Sequence, residues 1–323
     1  MTKYPKISVV VLNYNGLTYL KRTIRSLLNL KYPNYELIVV DNGSNDKSVD
    51  YLKNIKQIRL IENKKNLGYS KGKNLGVNRA KGKYILFLDD DILIKDVYVL
   101  NKILKVYLRL KTPAIMSILL VNDNETKTKL YGARYDLFGI IPENEPKQLN
   151  KIKKYNPYFF ETTLCNGGAM FFEKEIWKKV GGLDESQPFN LDDDDISTRA
   201  VIFGYKNYIY TEVVARHLGK ARRINNDDSY WKYKYFFSGK SRSMFKNLEF
   251  KTLVWAYPFF ILKVFLLTLK NAVFRLDLRI FYALFFSVFI FVKDFHHMLE
   301  ERERIQKNRK VHDSESLYRL NLR

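Results

Sequence analysis

The sequence predicts an α/β fold with a Rossmann-like, mainly parallel sheet flanked by helices, followed by a C-terminal helical, membrane-associated region. Between residue 7 and about residue 216, short β-branched runs alternate with stretches of helical periodicity, which is typical of such a sheet. With 46% hydrophobic and 15% aromatic residues, the 323-residue chain can bury a large core, so global disorder is excluded. Near residue 220 the strand-like runs stop and long aromatic-aliphatic stretches begin.

Five apolar runs are the predicted strands, and each of them ends at a polar or turn residue. The first helix is expected between the first two strands, because Leu17, Leu20 and Ile24 recur at the spacing of one buried helix face. Pro33 is expected to end that helix before the second strand. The predicted strands are Ile7 to Leu12, Glu36 to Val40, Ile58 to Ile61, Tyr84 to Leu88 and Ala114 to Leu120.

The cysteine content and the N-terminus favour a cytoplasmic protein. The single cysteine, Cys165, cannot form an internal disulfide or supply a thiolate zinc site on its own, which excludes small disulfide-rich and zinc-finger proteins. We expect it to be a small buried residue and not a nucleophile. The apolar run before Asn13 has six residues, fewer than the roughly 7 to 15 of a signal-peptide core. We therefore expect no cleaved targeting segment.

The change in composition predicts two domains, residues 1–220 and residues 221–323. In the second, the stretches Leu253 to Leu269 and Ile280 to Val292 are apolar, but Pro258 and Lys263 interrupt the first and the other is short. A spanning helix needs ~20 apolar residues, so interfacial or re-entrant helices at an anionic membrane surface are expected. A buried helical pair of the same domain is the alternative.

The remaining charge suggests two further interpretations. The segment from Glu300 to Lys310 is expected to be a solvated charged helix or tail. The net charge of +22 would suit a nucleic-acid-binding protein. However, carboxylates crowd the predicted ligand edge of the sheet, so the positive charge must lie elsewhere, and we expect no nucleic-acid partner.

Polar residues follow several of the predicted strands. Asn13 and Asn15 follow the first strand, Asp41 the second and Asp89 to Asp91 the fourth, and the acidic run Asp192 to Asp195 comes later. Ligands of open α/β sheets bind beyond the carboxyl ends of the strands, so these groups should converge on one edge. Three successive aspartates need a cation, for which Mg²⁺ or Mn²⁺ is the simplest choice. An acidic turn that merely caps the next helix is the alternative.

Several motifs in a fixed order resemble the family 2 glycosyltransferases of GT-A fold. They are VVVLNYNG, VVDNGSNDKS, NLGYSKGKNLGVNRAKGKYILFLDDD, NGGAMFFEKEIWKKVGGLDE and LDDDDISTR, and they cover roughly residues 5 to 220. Together, RHLG and YWKYKYFFSGKSRSMF resemble the rhamnosyltransferase-like branch, which builds bacterial and archaeal surface glycans. The resemblance implies an inverting, metal-dependent enzyme at the cytoplasmic side of the membrane, peripheral or re-entrant. It would move a sugar from a dTDP- or UDP-linked donor to a hydroxyl of a lipid-linked or surface glycan.

The resemblance assigns donor-binding roles to residues after the strands. Asp41 matches the aspartate that reads the nucleotide base, although Asp-Asn-Gly-Ser is also strong turn chemistry. Asp89 would face the ribose or sugar, and Asp90 would be a bystander. Gly167 and Gly168 match the pair near the donor sugar and acceptor, with a strand-start bulge as the alternative. The other predicted substrate-binding residues are Asn13, Asn15, Asn66, Gly72, Asn74 and Asp192, of which Gly72 could instead allow close helix packing.

The resemblance also implies a catalytic base and a metal site. The segment from Asp192 to Arg199 matches the pattern Glu-Asp-x-Asp-Leu-x-x-Arg, with Asp192 in place of the usual Glu, so Asp193 is the predicted base. Because four aspartates are adjacent, Asp192 or Asp194 could be the base instead. An acidic helix N-terminus without catalysis is a further alternative. Asp91 is predicted to bind Mg²⁺ or Mn²⁺, and His217 of RHLG to approach the metal or the diphosphate, with a structural histidine at a strand end as the alternative.

Two other functions remain open from the sequence. A sugar-1-phosphate nucleotidylyltransferase also combines aspartates with Mg²⁺, but it normally has a Gly-rich, Arg-bearing loop where this chain has LNYNG. A catalytically silent membrane scaffold or basic binding protein is the second alternative. The intact acidic motifs count against it.

Overall fold

A computed structural model describes residues 4–123, 128–130, 133–136, 139–142, 158–186, 191–219, 228–275 and 279–318. The elements up to residue 107 are β1 (Ile7–Asn13), α1 (Leu17–Leu28), β2 (Tyr35–Asp41), α2 (Ser48–Lys53), β3 (Ile58–Glu62), α3 (Tyr69–Arg79), β4 (Tyr84–Asp89), β5 (Ile92–Ile94) and α4 (Val99–Tyr107). The next are β6 (Ala114–Asn122), β7 (Thr128–Leu130), β8 (Ala133–Asp136), β9 (Gly139–Pro142), β10 (Phe159–Thr162), β11 (Ala169–Glu173), α5 (Lys174–Val180), α6 (Asp192–Ile202) and β12 (Lys206–His217).

One mixed sheet forms the core, with the strand order β10-β12-β6-β11-β4-β1-β2-β3. The strands β4, β1, β2 and β3 are parallel neighbours, and β11 is antiparallel to both β4 and β6. The α/β prediction is therefore confirmed, and the five predicted strands lie within one or two residues of β1, β2, β3, β4 and β6. All seven residues of β1 are buried, as expected of a central strand covered on both faces.

The strand register brings the polar ends of three strands to one edge. Asn13 pairs with Asp41, and Leu12 pairs with Asp89. The short strand β5 follows Asp91 and runs antiparallel to β12, so that Ile92 lies opposite His217. Two parts of the sequence that are about 125 residues apart thus meet beyond the carboxyl end of β4, as the sheet topology requires for a ligand site.

The C-terminal region is helical, with α7 (Asp228–Asn247), α8 (Phe250–Arg275), α9 (Arg279–Lys293), α10 (Phe295–Lys307) and α11 (Asp313–Tyr318). The helix α8 continues through Pro258, which interrupts the apolar stretch only in composition. This helix extends beyond the predicted apolar stretch at both ends. Its segment Phe250–Phe274 is long and apolar enough to cross a membrane. The segments Phe281–Lys293 and Phe295–Lys307, bent by 67°, pass the same test only as a pair.

The helices α7 and α10 pack against the sheet domain. Ile305 of α10 belongs to the main core, and the Arg304 guanidinium donates to the carbonyl oxygen of Val180 at 3.2 Å. The expectation of a solvated segment from Glu300 to Lys310 is therefore wrong, because one face of this helix is an internal surface. The division into residues 1–220 and 221–323 stays a prediction.

Candidate active site

Hydrogen bonds within the loops after β1 and β2 hold the first polar cluster. The Asn13 amide donates to Asp41 Oδ2 at 2.7 Å and to Ser44 Oγ at 3.1 Å. Asp41 Oδ1 accepts the backbone N–H groups of Gly43 and Ser44 at 3.2 and 2.9 Å, which is the turn-capping geometry. Asn15 accepts the N–H of Asn45 at 2.8 Å, in a left-handed backbone conformation with φ of 53°. The base-reading role of Asp41 stays a prediction.

The other residues predicted near the nucleotide make contacts within the protein. Asn66 Oδ1 accepts the Asn42 amide at 2.9 Å. A Cβ on Gly72 would lie 2.6 Å from Leu12 Cδ1, so this glycine allows α3 to pack on β1. Asn74 exchanges two hydrogen bonds with the backbone of Leu183, at 2.8 and 3.0 Å. Asn74 thus ties α3 to the segment after α5, and its substrate-binding role stays a prediction.

Asp89 at the end of β4 contacts two residues of α3. The Tyr69 hydroxyl donates to Asp89 Oδ1 at 3.1 Å, and the Lys73 ammonium lies 3.1 Å from the same oxygen. Lys73 also donates to the carbonyl oxygen of Gly167 at 2.6 Å and packs over the rings of Tyr69 and Phe87. Burial lowers the pKa of Lys73, whereas the carboxylates of Asp89 and Asp192 raise it. A buried cation therefore lies among the carboxylates.

The glycine pair brings the acidic helix α6 close to Asp89. Asp193 Oδ2 accepts the backbone N–H of Gly167 at 2.9 Å, and a Cβ on Gly167 would lie 3.1 Å from Asp193 Cβ. A Cβ on Gly168 would lie 3.3 Å from Asp89 Oδ2. The absent side chains thus allow both carboxylates to approach the same short backbone segment.

The four aspartates at the start of α6 have different surroundings. Asp192, Asp194 and Asp195 are 5%, 8% and 0% exposed, and Asp193 alone is partly open to solvent. Burial raises the pKa of Asp193, with the Gly167 N–H and Lys73 acting in the opposite direction. Burial and the charge of Asp193 raise the pKa of Asp192 to about 7. Asp195 forms the expected pair with Arg199, with 2.8 Å between Oδ2 and the guanidinium.

Asp91 and His217 form the second pair that the sequence predicts. Asp91 Oδ2 lies 2.9 Å from His217 Nε2, and both side chains are partly exposed. The RHLG motif fits this contact, because the Leu218 N–H donates to the Asp91 carbonyl oxygen at 2.8 Å and a Cβ on Gly219 would lie 2.1 Å from Asp91 Oδ2. Among the described residues, no group of three or more His, Cys, Asp or Glu side chains is placed to hold a metal.

Asp90 faces the loop after β1 instead of this pair. Its Oδ2 accepts the Tyr14 N–H at 3.3 Å, and a Cβ on Gly16 would lie 2.0 Å from the same oxygen. Burial and the carboxylates of Asp91 and Asp89 raise the pKa of Asp90 to about 7. Successive aspartates therefore point in different directions, and the bystander role of Asp90 stays a prediction.

Comparison with known proteins decides the family. Residues 8–181, more than half of the chain, match the profile of Glycosyl transferase family 2. The chain belongs to this family. An uncharacterized glycosyltransferase of Methanocaldococcus jannaschii is 29% identical over 237 residues, which are 70% of this chain and 73% of that one. An uncharacterized glycosyltransferase of Haemophilus influenzae is 42% identical over 94 residues, but these span only 28% of this chain and 38% of that relative.

Solved structures support the GT-A fold of this family 2 chain. A mannosyltransferase from Pyrobaculum calidifontis in complex with GDP-Man and Mn²⁺ superimposes with a TM-score of 0.57 at 16% identity. The match covers 95% of this chain and 86% of that one, so it includes the C-terminal helices. At this identity the likeness shows the fold alone. The assignment to the rhamnosyltransferase-like branch stays a prediction.

Two residues of this family 2 site were not among the predicted site residues. Tyr69 and Lys73 are four residues apart on α3, so they share one helix face and both reach Asp89. The spacing is visible in the segment GYSKGKN. The burial of Lys73 was not predictable from that segment, because the groups that cover it come from β4 and from Gly167.

Cys165 agrees with its predicted structural role. It is 1% exposed, and burial raises the pKa of its thiol to about 12. A thiol with such a pKa stays protonated at neutral pH and is a poor nucleophile. The sulfur instead packs against the backbone of β6 and β12.

Proposed function

We propose that the protein is an inverting glycosyltransferase that moves one sugar from a nucleotide diphosphate sugar to an acceptor hydroxyl, with Asp193 as the base. The observation that carries the proposal is the position of Asp193. It is partly exposed, lies at the start of α6 and accepts the Gly167 N–H at 2.9 Å. This hydrogen bond engages Oδ2 and orients the carboxylate. Because burial raises the pKa of Asp193, its carboxylate is a stronger proton acceptor than an exposed one.

Asp91 and His217 are the residues that would hold a divalent metal, Mg²⁺ or Mn²⁺. An oxygen and an imidazole nitrogen 2.9 Å apart, both partly exposed, form an open pair of ligands. Mg²⁺ in enzymes is commonly bound by one or two carboxylates and completes its shell with water and substrate phosphates, so Asp91 fits as the main ligand and His217 as an additional contact. When bound, the ion would offset the negative charge of the leaving nucleotide diphosphate. Asp193 would take the acceptor proton on the other side of the reacting carbon.

The donor and the acceptor are proposed by class. The resemblance to the rhamnosyltransferase-like branch favours a dTDP- or UDP-linked sugar, and Asp41 would read the pyrimidine base. The structurally similar mannosyltransferase binds GDP-Man, so a guanine donor is the main competitor. The proposed acceptor is a hydroxyl of a lipid-linked or surface glycan, because the helices α8 and α9 suit a membrane-bound enzyme.

The proposed location is the cytoplasmic side of the cell membrane, and exposed apolar side chains support it. α8 buries a stripe at four-residue spacing that includes Phe260 and Val264, while Phe265 and Phe274 are 47% and 80% exposed. Phe285 of α9 is 70% exposed. A water-soluble surface rarely carries so many neighbouring aromatic side chains. Lipid would cover them, and exposed lysines at the helix ends would meet anionic headgroups.

A donor screen tests the proposed activity. Purified protein is mixed with dTDP-, UDP- and GDP-sugars with Mg²⁺, Mn²⁺ or EDTA, and released nucleotide diphosphate is measured. We expect metal-dependent release from one donor class, most strongly with a glycan acceptor. Production of nucleotide sugar from sugar 1-phosphate and nucleotide triphosphate would favour the nucleotidylyltransferase. Binding of glycan or membrane without turnover of any donor would favour the scaffold.

Asp193→Asn tests the base, with Asp194→Asn as the matched control. The first variant should bind donor normally but lose roughly a hundredfold or more in kcat, because it cannot accept the proton. Asp194 is buried, so its variant should keep most of the turnover. A harmless Asp193→Asn together with a large loss for Asp194→Asn would move the base by one residue.

A further inference from the structure

We propose that Lys246 and Asn247 at the end of α7 are positioning residues that hold the first turn of α6 and thereby orient Asp193. The proposal rests on the proposed function, since it assigns a role relative to the proposed base. Its physical basis is a buried polar contact between the sheet domain and the C-terminal helices.

The contact centres on Asp195, which is 0% exposed. The Asn247 amide donates to Asp195 Oδ1 at 3.1 Å, and Lys246 Nζ lies 3.3 Å from the same oxygen. The second oxygen accepts Arg199 Nε at 2.9 Å. Two of the three groups that bind this carboxylate therefore come from a helix that begins more than 30 residues later in the chain.

Asp195 and Asp193 lie on different sides of the same helical turn. Residues two apart in an α-helix differ by roughly 200° in direction, so one carboxylate faces α7 while the other faces Gly167. The helix starts after Leu191, whose side chain has no polar atom with which to cap the first turn. The orientation of this turn therefore depends on groups outside the helix. The Gly167 N–H binds Asp193 on one side, and Lys246 and Asn247 bind Asp195 on the other.

Lys246 also connects this turn to the segment after α5. Its ammonium forms an ion pair with Asp184, which is 7% exposed, while Lys246 itself is 0% exposed. Removing the ammonium would leave two buried carboxylates short of positive charge, so the surrounding elements would have to move or take up water. Asn247 bears no charge, so replacing it should reduce the stability of the fold less than replacing Lys246 does, while still removing a contact to Asp195.

Arg242 on the same helix provides the matched control. It is also 0% exposed, but its guanidinium binds Asp294 at 2.7 Å and the Ser186 hydroxyl, and neither partner belongs to α6. Arg242 reaches α6 only indirectly, because the Ser186 hydroxyl donates to Asp184 Oδ1 at 2.6 Å and Asp184 pairs with Lys246. Loss of Arg242 leaves the Asn247 and Lys246 contacts to Asp195 in place, so it should destabilise the fold without releasing the turn that carries Asp193. The comparison therefore separates positioning from general stability.

The experiment compares Asn247→Leu, Lys246→Met and Arg242→Met in the full-length protein. The first two should lower kcat about tenfold or more, since a misplaced base slows proton transfer, and leave the donor KM within about twofold. The backbone amide of Gly167, which donates to Asp193, should exchange its hydrogen faster in both. Arg242→Met should change neither quantity, even with a similar loss of melting temperature.

Two results would overturn the proposal. One is an Asn247→Leu protein with unchanged Gly167 exchange, and the other is an Arg242→Met protein with the same change in exchange as Asn247→Leu. If Lys246→Met does not fold, the kcat values and Gly167 exchange rates of Asn247→Leu and Asn247→Ser test the proposal instead. If the wild type turned over none of the donors, the proposed function would be refuted. The positioning of the turn by α7 would still be tested, because amide exchange of Gly167 does not depend on turnover.

Discussion

The ammonium of Lys73 lies 3.1 Å from Oδ1 of Asp89, although the lysine side chain is only 2% exposed. Burial of a lysine is costly, and it is tolerated where carboxylates and hydrogen-bond acceptors surround it. Here the Gly167 carbonyl oxygen and two aromatic rings complete the surroundings. Lys73 therefore places a positively charged group of the same chain at the acidic edge of the sheet.

Lys73→Met should destabilise the protein, because Asp89 loses its ion-pair partner and the buried Asp192 loses a positive charge that favours its ionised form. We expect a loss on the order of 2 to 4 kcal/mol in the free energy of unfolding, measured by urea denaturation without divalent metal. Lys71→Met, on an exposed neighbour of the same helix, is the control and should have little effect. Equal stability of both variants would mean that Lys73 does not compensate these carboxylates.

The strands could be predicted because their signals are local, whereas the pair of Asp91 and His217, far apart in the chain, was predicted from the family resemblance. Continuous β-branched runs mark strands buried on both faces, and the residues after them fall at the ligand edge by topology. The role of Lys73 could not be predicted, because a lysine between Gly72 and Asn74 in a polar helix segment is typical of a solvated face. Its burial results from contacts with Asp89 and Phe87 of β4 and with the Gly167 carbonyl oxygen.

Asp91→Ala should abolish most of the metal-dependent turnover. The variant keeps the fold but loses one of two ligands, and with it several kcal/mol of leaving-group stabilisation. Nucleotide diphosphate release at saturating donor, titrated with Mn²⁺, measures the effect. Asp90→Asn is the control, since Asp90 faces Gly16 and Tyr14. Near wild-type turnover in Asp91→Ala would contradict the metal assignment.

Asp192→Asn should stabilise the protein in a pH-dependent way. Burial and the charge of Asp193 raise the pKa of Asp192 to about 7, so the folded state holds a proton that the unfolded chain releases near pH 4. The stability that this carboxyl contributes is therefore lost as the pH rises from about 4 to 7. Asparagine carries no charge, so it avoids the free-energy cost of a buried ionised carboxylate at this position.

Denaturation at several pH values tests this expectation. Asp192→Asn should match the wild type near pH 4 and exceed it by roughly 2 to 4 kcal/mol above pH 7. The exposed Asp50 provides a control, because its replacement by asparagine should change stability little at any pH. A stabilisation by Asp192→Asn that is independent of pH would rule out the titration of this carboxyl as its cause.

The C-terminal region was the least predictable part of the chain. Its 20 or so basic residues suggest a charged surface, yet Lys240, Arg242 and Lys246 are buried against the sheet domain or between helices. Asp184 and Asp195, which bind Lys246, precede it by more than 50 residues, so no local pattern reveals the contact. Truncation near residue 220 would uncover these carboxylates. Substitutions on α8 therefore test membrane binding more cleanly than truncation does.

The double variant Leu262→Asp/Phe265→Asp should weaken binding to membranes, because both side chains lie on the exposed side of α8 and would enter lipid. Sedimentation with anionic and neutral liposomes measures the effect, and the wild type should pellet more strongly with the anionic ones. Leu108→Asp, at a residue that is 53% exposed near the end of α4, is the control for added charge on an exposed leucine. Equal pelleting of all three proteins, or of none, would contradict membrane docking through α8. A discrete wild-type dimer that the α8 variant disrupts would instead assign this surface to a second copy of the chain.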